Sequence, residues 1–345
     1  MSSSCAAPIT ATDRILLGHG AGGKLTSQLI ERLIVPAFAN PILAELDDQA
    51  ILDAGGARLA FTTDSYVVTP LFFPGGDIGE LAINGTINDL AVGGAKPIAL
   101  SLAFILEEGL PIETLRRVVE SARNAAERAG VSIVTGDTKV VERGHGDQLF
   151  ANTSGIGIVP AGVRLGSAQV RAGDAIVVSG PIGDHGVAIM AHRVGLELAG
   201  DVASDTAALH GLTDAILRSG AEVHAMRDPT RGGLAATLVE LATRRRLGIE
   251  VDERAIPIRE PVRGACELLG LDPLLVANEG KLVAFVAASD ADRLVAAMRE
   301  HPQARHATRI GFVTDAHPSV VELVTPVRGR RTLDLPFAEP LPRIC

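Results

Sequence analysis

Tryptophan is absent from this 345-residue chain, tyrosine occurs once, and aromatic residues make up only 3% of it. A core must therefore be built from Ala, Val, Ile and Leu. The 47% hydrophobic content supplies them, beside 21% charged residues, in ordinary globular measure. Cysteine is scarce too: Cys5, Cys266 and Cys345 lie far apart, with no C-x-x-C, so neither a zinc site nor a disulfide framework is indicated. Basic charge is short. A net charge of −9 argues against nucleic acid as a partner, since phosphate-backbone binding leans on clustered Lys and Arg. It leaves room for a small phosphate ligand held by Mg²⁺. No apolar run reaches the roughly 18 residues of a membrane span. The opening "MSSSCAAPITATD" lacks the basic and apolar regions of a signal peptide. The expectation is a cytoplasmic protein with no membrane partner, in a compartment that keeps thiols reduced. A serine-hydrolase G-x-S-x-G is missing, and His19, His185 and His224 do not form H-E-x-x-H spacing.

The length predicts two domains. "RLAFTTDSYVV" (58–68) alternates apolar and polar residues as a strand does. "DIGELAINGTINDLAVGG" (77–94) opens on a capping Asp77 and stops at two glycines, the pattern of a helix. "PIALSLAFIL" reads as a buried strand, and "PIETLRRVVESARNAAERAG" as an amphipathic helix ended by Gly130. "VSIVTGDTKVV" and "ANTSGIGIVP" follow as strands. A glycine-punctuated connector at 160–174 marks a domain boundary. Beyond it come strand "AIVVSG", loop "PIGDHG" and helix "VAIMAHRVG". Later "RDPTRGGLAATLVELATRR" reads as a capped helix, "KLVAFVAA" as a strand and "VVELVT" as the last strand. The pattern stops near Thr332, and Pro336, Pro340 and Pro342 favour an extended tail. The division is thus 1–165, 166–331 and a flexible tail over 332–345.

Gly18, Gly20 and Gly23 in "GHGAGGK" fit G-x-G-x-x-G, with Asp47 near the distance of a ribose-binding acid. A Rossmann oxidoreductase, a phosphate-contacting loop of another kind and a plain glycine turn all accommodate this stretch. Acidic residues stand at strand and loop ends: Asp47, Asp48, Asp64, Asp89 and Asp137. Taken singly each is a cap or a solvated turn. Converging, they would hold a magnesium–nucleotide. Lys139 lies two residues beyond Asp137, on the same strand face, as a phosphate contact, a proton-transfer group or an ordinary ion pair. Glu279 in "VANEGKLV" sits in apolar surroundings, which raise a carboxyl pKa and suit a base; a capping role is the alternative. Cys345, at the tip of a proline-spaced tail, has little to pack against and offers an exposed thiol.

Together "HGAGGK", "DDQA", "TTDSYVVTPLFFPGGDIGELAINGTINDLA", "SLAFILEEGLP", "IVTGDTKVVERG", "RDPTRGGLA", "NEGKL" and the terminal "PRIC" resemble the hydrogenase maturation HypE family of carbamoyl dehydratases. The resemblance spans nearly the whole chain. It implies an α+β protein of two PurM-like α/β domains, shared with aminoimidazole ribonucleotide synthetase, selenophosphate synthetase and thiamine monophosphate kinase. It also implies a homodimer whose N-terminal domains pair into a shared barrel, with ATP near the interface. A carbamoyltransferase, HypF, would load Cys345 with a carboxamide. ATP-dependent dehydration would turn it into a thiocyanate, and the cyanide would pass to iron on the HypC–HypD scaffold for [NiFe]-hydrogenase. By the same resemblance Asp48, Asp64, Asp89 and Asp137 hold Mg²⁺ and ATP, with Asn88, Gly20, Gly22 and Gly23 as further nucleotide contacts. Glu279 is the base, Lys139 its neighbour, and Cys345 the covalent carrier rather than a nucleophile. A small-molecule kinase or synthetase of the same superfamily is the alternative, and would turn over without Cys345. A scaffold whose tail merely docks would hydrolyse no ATP.

Overall fold

A computed structural model of the chain describes residues 14–20, 22–196, 198, 202–336 and 343–345. Two sheets organise it. The first has six strands, in the order Ala50–Ala54, Ala57–Tyr66, Leu149–Ile158, Lys96–Glu107 and Ser132–Thr135, with Thr138–Val141 also paired to Lys96–Glu107. The central pairings are antiparallel, while the two short strands run parallel to Lys96–Glu107. The expected strand "VSIVTGDTKVV" is therefore two, interrupted at Gly136 and Asp137. An added Cβ at Gly136 would lie 2.1 Å from the Leu102 carbonyl oxygen, so the chain there runs too close to its neighbour for any side chain.

Helices Ile78–Val92 and Ile112–Ala129 cover one face of this sheet. Asp77 caps the first by accepting from the Gly79 and Glu80 amides, as its position predicts. Ile83, Ile87 and Leu100 pack with Ala122, Ala125 and Ala126 between sheet and helices. The other face is bare: Phe61, Ile98, Ile105, Ile156 and Ile158 are each more than 40% exposed. "PIALSLAFIL" is thus a strand, but buried on one side only.

The second sheet has seven strands, in the order Val223–Arg227, Val283–Val286, Ala175–Val178, Thr308–Thr314, Gly248–Asp252, Val321–Val324 and Arg330–Leu333. It is covered on both faces. Ile176, Val178 and Phe285 point toward Leu234, Leu238 and Leu241 of helix Gly233–Arg245. Their alternates Ala175, Val177 and Ala284 point toward Leu212, Ile216, Leu294 and Met298 of helices His210–Arg218 and Ala291–Arg299. A strand buried on both sides reads as a continuous apolar run, as "AIVV" and "VAFV" do. "VVELVT" is not the last strand: Arg330–Leu333 pairs antiparallel with it. Helix Gly233–Arg245 has no side-chain cap. It starts on Gly232 and Gly233, both at positive φ, and an added Cβ at Gly233 would lie 2.6 Å from the Leu274 carbonyl oxygen.

The chain's last three residues return to the first domain. Ile344 bridges Val68 antiparallel, Val67 N–H donates to the Cys345 carbonyl at 3.1 Å, and Thr69 N–H donates to the Arg343 carbonyl at 3.2 Å. Ile344 is 1% exposed and packs with Tyr66, Val68, Phe73 and Val276. Burying such a side chain stabilises by about 1.5–3 kcal/mol. The expectation of a tail tip without packing is corrected here: residues 343–345 are docked.

Candidate active site

Acidic side chains from four separate segments meet where the two domains touch. Asp48 precedes the first strand, Asp64 lies on Ala57–Tyr66, Asp89 on helix Ile78–Val92, and Asp228 follows Val223–Arg227. Thr62 donates from its hydroxyl to an Asp89 carboxylate oxygen at 2.7 Å, and the Tyr66 hydroxyl donates to Asp64 at 3.1 Å. Arg227 forms an ion pair with Asp48 at 2.7 Å. Burial pushes Asp48 up to about 6, against the pull of Arg227 and with a further push from Asp47. Burial and then Asp48 push Asp228 up to about 8. Asp89 is held well above the carboxylate range by burial and by Asp64, Asp228 and Asp48. Asp64 is raised by burial, less so for the nearby Arg231. Buried like charges that lift one another's pKa call for a cation to relieve them.

Among the described residues, no three His, Cys, Asp or Glu side chains close around one point as a metal cage. Magnesium does not need one, because it is held by one or two carboxylates together with substrate phosphates and water. The donor set fits that use. A cavity of about 650 Å³ opens beside it, lined by Asp47, Asp48, Phe61, Thr62, Lys24 and Arg244 among others. That space suits a nucleotide-sized ligand.

The glycine loop packs onto the loop "DPTRGG". Gly22 has φ +82°, and an added Cβ would lie 3.1 Å from the Arg231 backbone. Arg231 in turn donates to the Gly20 carbonyl at 2.9 Å. Gly23 precedes helix Lys24–Leu29 in an extended conformation, and its carbonyl accepts from Ser27 N–H. Lys24 pairs with Asp334 at 2.5 Å. The Rossmann alternative fails on geometry, because among the described residues no strand precedes this loop and the first begins at Ala50.

Glu279 is 3% exposed. Its backbone N–H donates to Asp205 at 3.0 Å and its carbonyl accepts from Asn88 at 3.1 Å. Burial, followed by Asp228, Asp205 and Asp64, holds its carboxyl well above the usual range. Burial would raise Asp205 as well, but Lys281, at 3.0 Å, and the hydrogen bond from the Glu279 amide outweigh it and hold that carboxyl low. Asn88 itself is fully engaged: its amide donates to Ala207 and Glu279 carbonyls and accepts from Leu209 N–H at 2.7 Å. It brackets Glu279 against the first domain, a different task from the expected nucleotide contact.

His185, the first-turn histidine of helix Asp184–Val194, is wholly buried between Glu279 and the tail. Its Nε2 is 2.7 Å from the Ile344 carbonyl. Arg193 donates to the Arg343 and Thr69 carbonyls, and Arg343 pairs with Asp147. Cys345 packs at the edge of the same cluster, half-buried.

Asp48, Asp64, Asp89 and Glu279 therefore come together, and His185 links Glu279 to the residue before Cys345. Asp137 and Lys139 do not join them within the chain. Both are exposed and pair with each other at 2.7 Å, and Lys139 and the Thr138 amide hold Asp137 below its usual range. Sequence reasoning missed Asp228, Arg227 and Arg231, which "RDPTRGG" displays ahead of its glycine pair. It also missed His185 in "PIGDHG", and Tyr66. Cys5 lies outside the described residues.

Two family profiles match the chain: AIR synthase related protein, N-terminal domain, over residues 46–159, and AIR synthase related protein, C-terminal domain, over residues 171–324. The chain is 54% identical over 333 residues to the carbamoyl dehydratase HypE of Cupriavidus necator, covering 96% of this chain and 95% of that one. The crystal structure of hydrogenase maturation protein HypE in complex with ATP is similar, at 48% identity and a TM-score of 0.81, over 96% of this chain and 100% of the other. A chain in a crystal structure of a HypE–HypF complex is 43% identical with a TM-score of 0.85, over 89% of this chain and 99% of that one.

Proposed function

Because the chain belongs to the carbamoyl dehydratase HypE family, we propose that it carries its own substrate on Cys345 and dehydrates it in the site just described. The enzyme is an ATP-dependent carbamoyl dehydratase of hydrogenase maturation. The observation that carries the fuller reading is the docking of Arg343–Cys345 beside Glu279, through His185.

The chemistry asks three things of the chain. An amide oxygen leaves poorly, so the ATP γ-phosphoryl group is transferred to it and it departs as phosphate. The carboxamide nitrogen must lose both protons as C≡N forms: R–S–C(O)NH₂ plus ATP gives R–S–C≡N, ADP, phosphate and a proton. The sulfur must stay in place meanwhile. Asp48, Asp64, Asp89 and Asp228 are the carboxylates that would hold Mg²⁺ with the ATP phosphates; when bound, Mg²⁺ neutralises charge during phosphoryl transfer. Glu279 takes a nitrogen proton. Its apolar surroundings make it a strong acceptor once ionised. The backbone pairing of residues 343–345 holds the thiocarbamate still, which is where much of the rate enhancement of a tethered reaction comes from.

The reading includes a homodimer. Phe61, Ile98, Ile105, Ile156 and Ile158 form an exposed apolar sheet face that a second copy would cover. Lys139 lies on strand Thr138–Val141 of that same sheet, Asp137 just before it, and both would face the partner's site. HypF as the loading partner, a HypC–HypD scaffold as recipient, and a cytoplasmic setting complete it. Among the described residues, no helix is long and apolar enough to cross a membrane.

Mass spectrometry of the C-terminal peptide tests the carrier role. After incubation with carbamoyltransferase, carbamoyl phosphate and ATP, Cys345 should gain one carboxamide and then lose one water. Cys345→Ala should show neither change while still binding ATP. The same changes appearing on Cys5 or Cys266 would overturn the assignment.

A further inference from the structure

Glu279 Oε1 is buried without a hydrogen-bond partner. His185 Nε2 lies 4.0 Å from it and 2.7 Å from the Ile344 carbonyl. A carbonyl only accepts, so Nε2 carries the ring proton in this arrangement, and Nδ1 accepts from the Ser204 hydroxyl at 2.8 Å. Burial holds His185 below its ordinary range, so the ring is neutral and has this one donor. The ring is also fixed in direction, edge-on to Phe73 with centroids 5.6 Å apart. One N–H therefore stands between two acceptors and satisfies one of them.

We propose that His185 is a positioning residue that passes its Nε2–H between the tail and Glu279. With the tail docked, the donor serves the Ile344 carbonyl and Glu279 is left without it. With the tail gone, a small movement of the ring closes the 4.0 Å gap, and the donor serves the Glu279 carboxylate. A buried carboxylate that loses a donor is a more avid proton acceptor, because hydrogen bonding to the charged form lowers its pKa. Arrival of the tail thus raises the proton affinity of an ionised Glu279, and departure lowers it. Glu279 would then be without that donor whenever the tail is seated, laden or empty. This inference rests on Glu279 being the base.

The switch makes Glu279 and the tail competitors for one donor, which alkylation of Cys345 by iodoacetamide reads in the full-length protein. Docking shields the thiol. Glu279→Met keeps the side chain's length and removes the acceptor, so docking should tighten and alkylation slow about fivefold, the worth of one ordinary hydrogen bond. His185→Phe removes the N–H while keeping an aromatic ring against Phe73, and alkylation should quicken by a similar factor. In the His185→Phe background, Glu279→Met should do nothing further. Any effect of Glu279 on the thiol through charge alone would survive in that background. If Phe is not accommodated, His185→Leu deletes the same donor. Equal effects of Glu279→Met with and without His185, or no effect in either, would overturn the switch. The base assignment is read separately, by single-turnover dehydration of pre-carbamoylated protein. Unchanged dehydration in Glu279→Gln removes the base but leaves the alkylation cycle legible. An additive cycle with slow dehydration removes the switch and leaves the base.

Discussion

Acidic residues occupy two contrasting settings in the first domain and the interface beneath it. Asp228 is buried, Asp48 and Asp89 are largely so, and they crowd one another, so each is reluctant to ionise. Asp137, at the edge of the same sheet, is in water beside Lys139 and ionises readily. The same side chain is a stored demand for a cation in one place and a satisfied surface charge in the other. Position in a motif does not separate the two; burial does. The exposed pair gains a role only if something covers it, and the uncovered apolar face beside it is where a second copy would sit.

Four measurements break or sharpen this contrast. The largest effect belongs to Glu279→Gln, which keeps size and polarity and removes the base. Thiocyanate formation on Cys345 should slow by about 10²–10⁴-fold while carbamoylation continues. Equal rates would make Glu279 structural. Next, Asp64→Asn deletes one half-buried charge of the proposed nucleotide site. Calorimetric titration with Mg²⁺–ATP should show roughly 10–100-fold weaker binding, the loss of a charge-assisted contact, and wild-type binding would place Asp64 outside the nucleotide site. Lys139→Met should leave the melting temperature within about 1 °C, since exposed pairs add little stability. If the pair faces the partner's site, turnover should still fall by about tenfold; unchanged turnover would return it to the surface. The smallest effect is on stability against pH. Asp228 holds its proton to about pH 8 and Asp48 to about pH 6 in the folded chain, whereas both lose it near pH 4 when unfolded. Between those limits the folded state binds more protons, so stability falls as pH rises. Without nucleotide or divalent metal, the melting temperature should drop by a few degrees from pH 5 to pH 8, and Mg²⁺–ATP should flatten the slope. A rise over that range would contradict the buried-acid account.

Much of this was legible in the residues. Alternation in "RLAFTTDSYVV", the Asp77 cap and the Gly130 stop each produced the element they predict. Local patterns failed where a distant neighbour decided the outcome. The break at Gly136 is set by the Leu102 backbone, thirty-odd residues away. The one-sided burial of Lys96–Glu107 depends on how its sheet is covered, which its own apolar run does not record. Asp64 and Asp89 stand out as polar groups in apolar company. Asp228 was hidden because Asp-Pro reads as a turn, although the same turn delivers it to the cluster. His185 was set aside for lacking a metal-ligand spacing; its significance comes from residue 344, and no spacing rule connects them.

The backbone ladder that seats residues 343–345 has a consequence for timing. Every contact named for it, from the Val67 and Thr69 amides to the buried Ile344 side chain and the Arg343–Asp147 pair, uses atoms that loading the sulfur leaves unchanged. Laden and empty tails therefore share these contacts. An empty tail thus holds the site until it leaves to be loaded. Traffic through the site then depends on how quickly the tail lets go, and a stronger clasp would lengthen each stay.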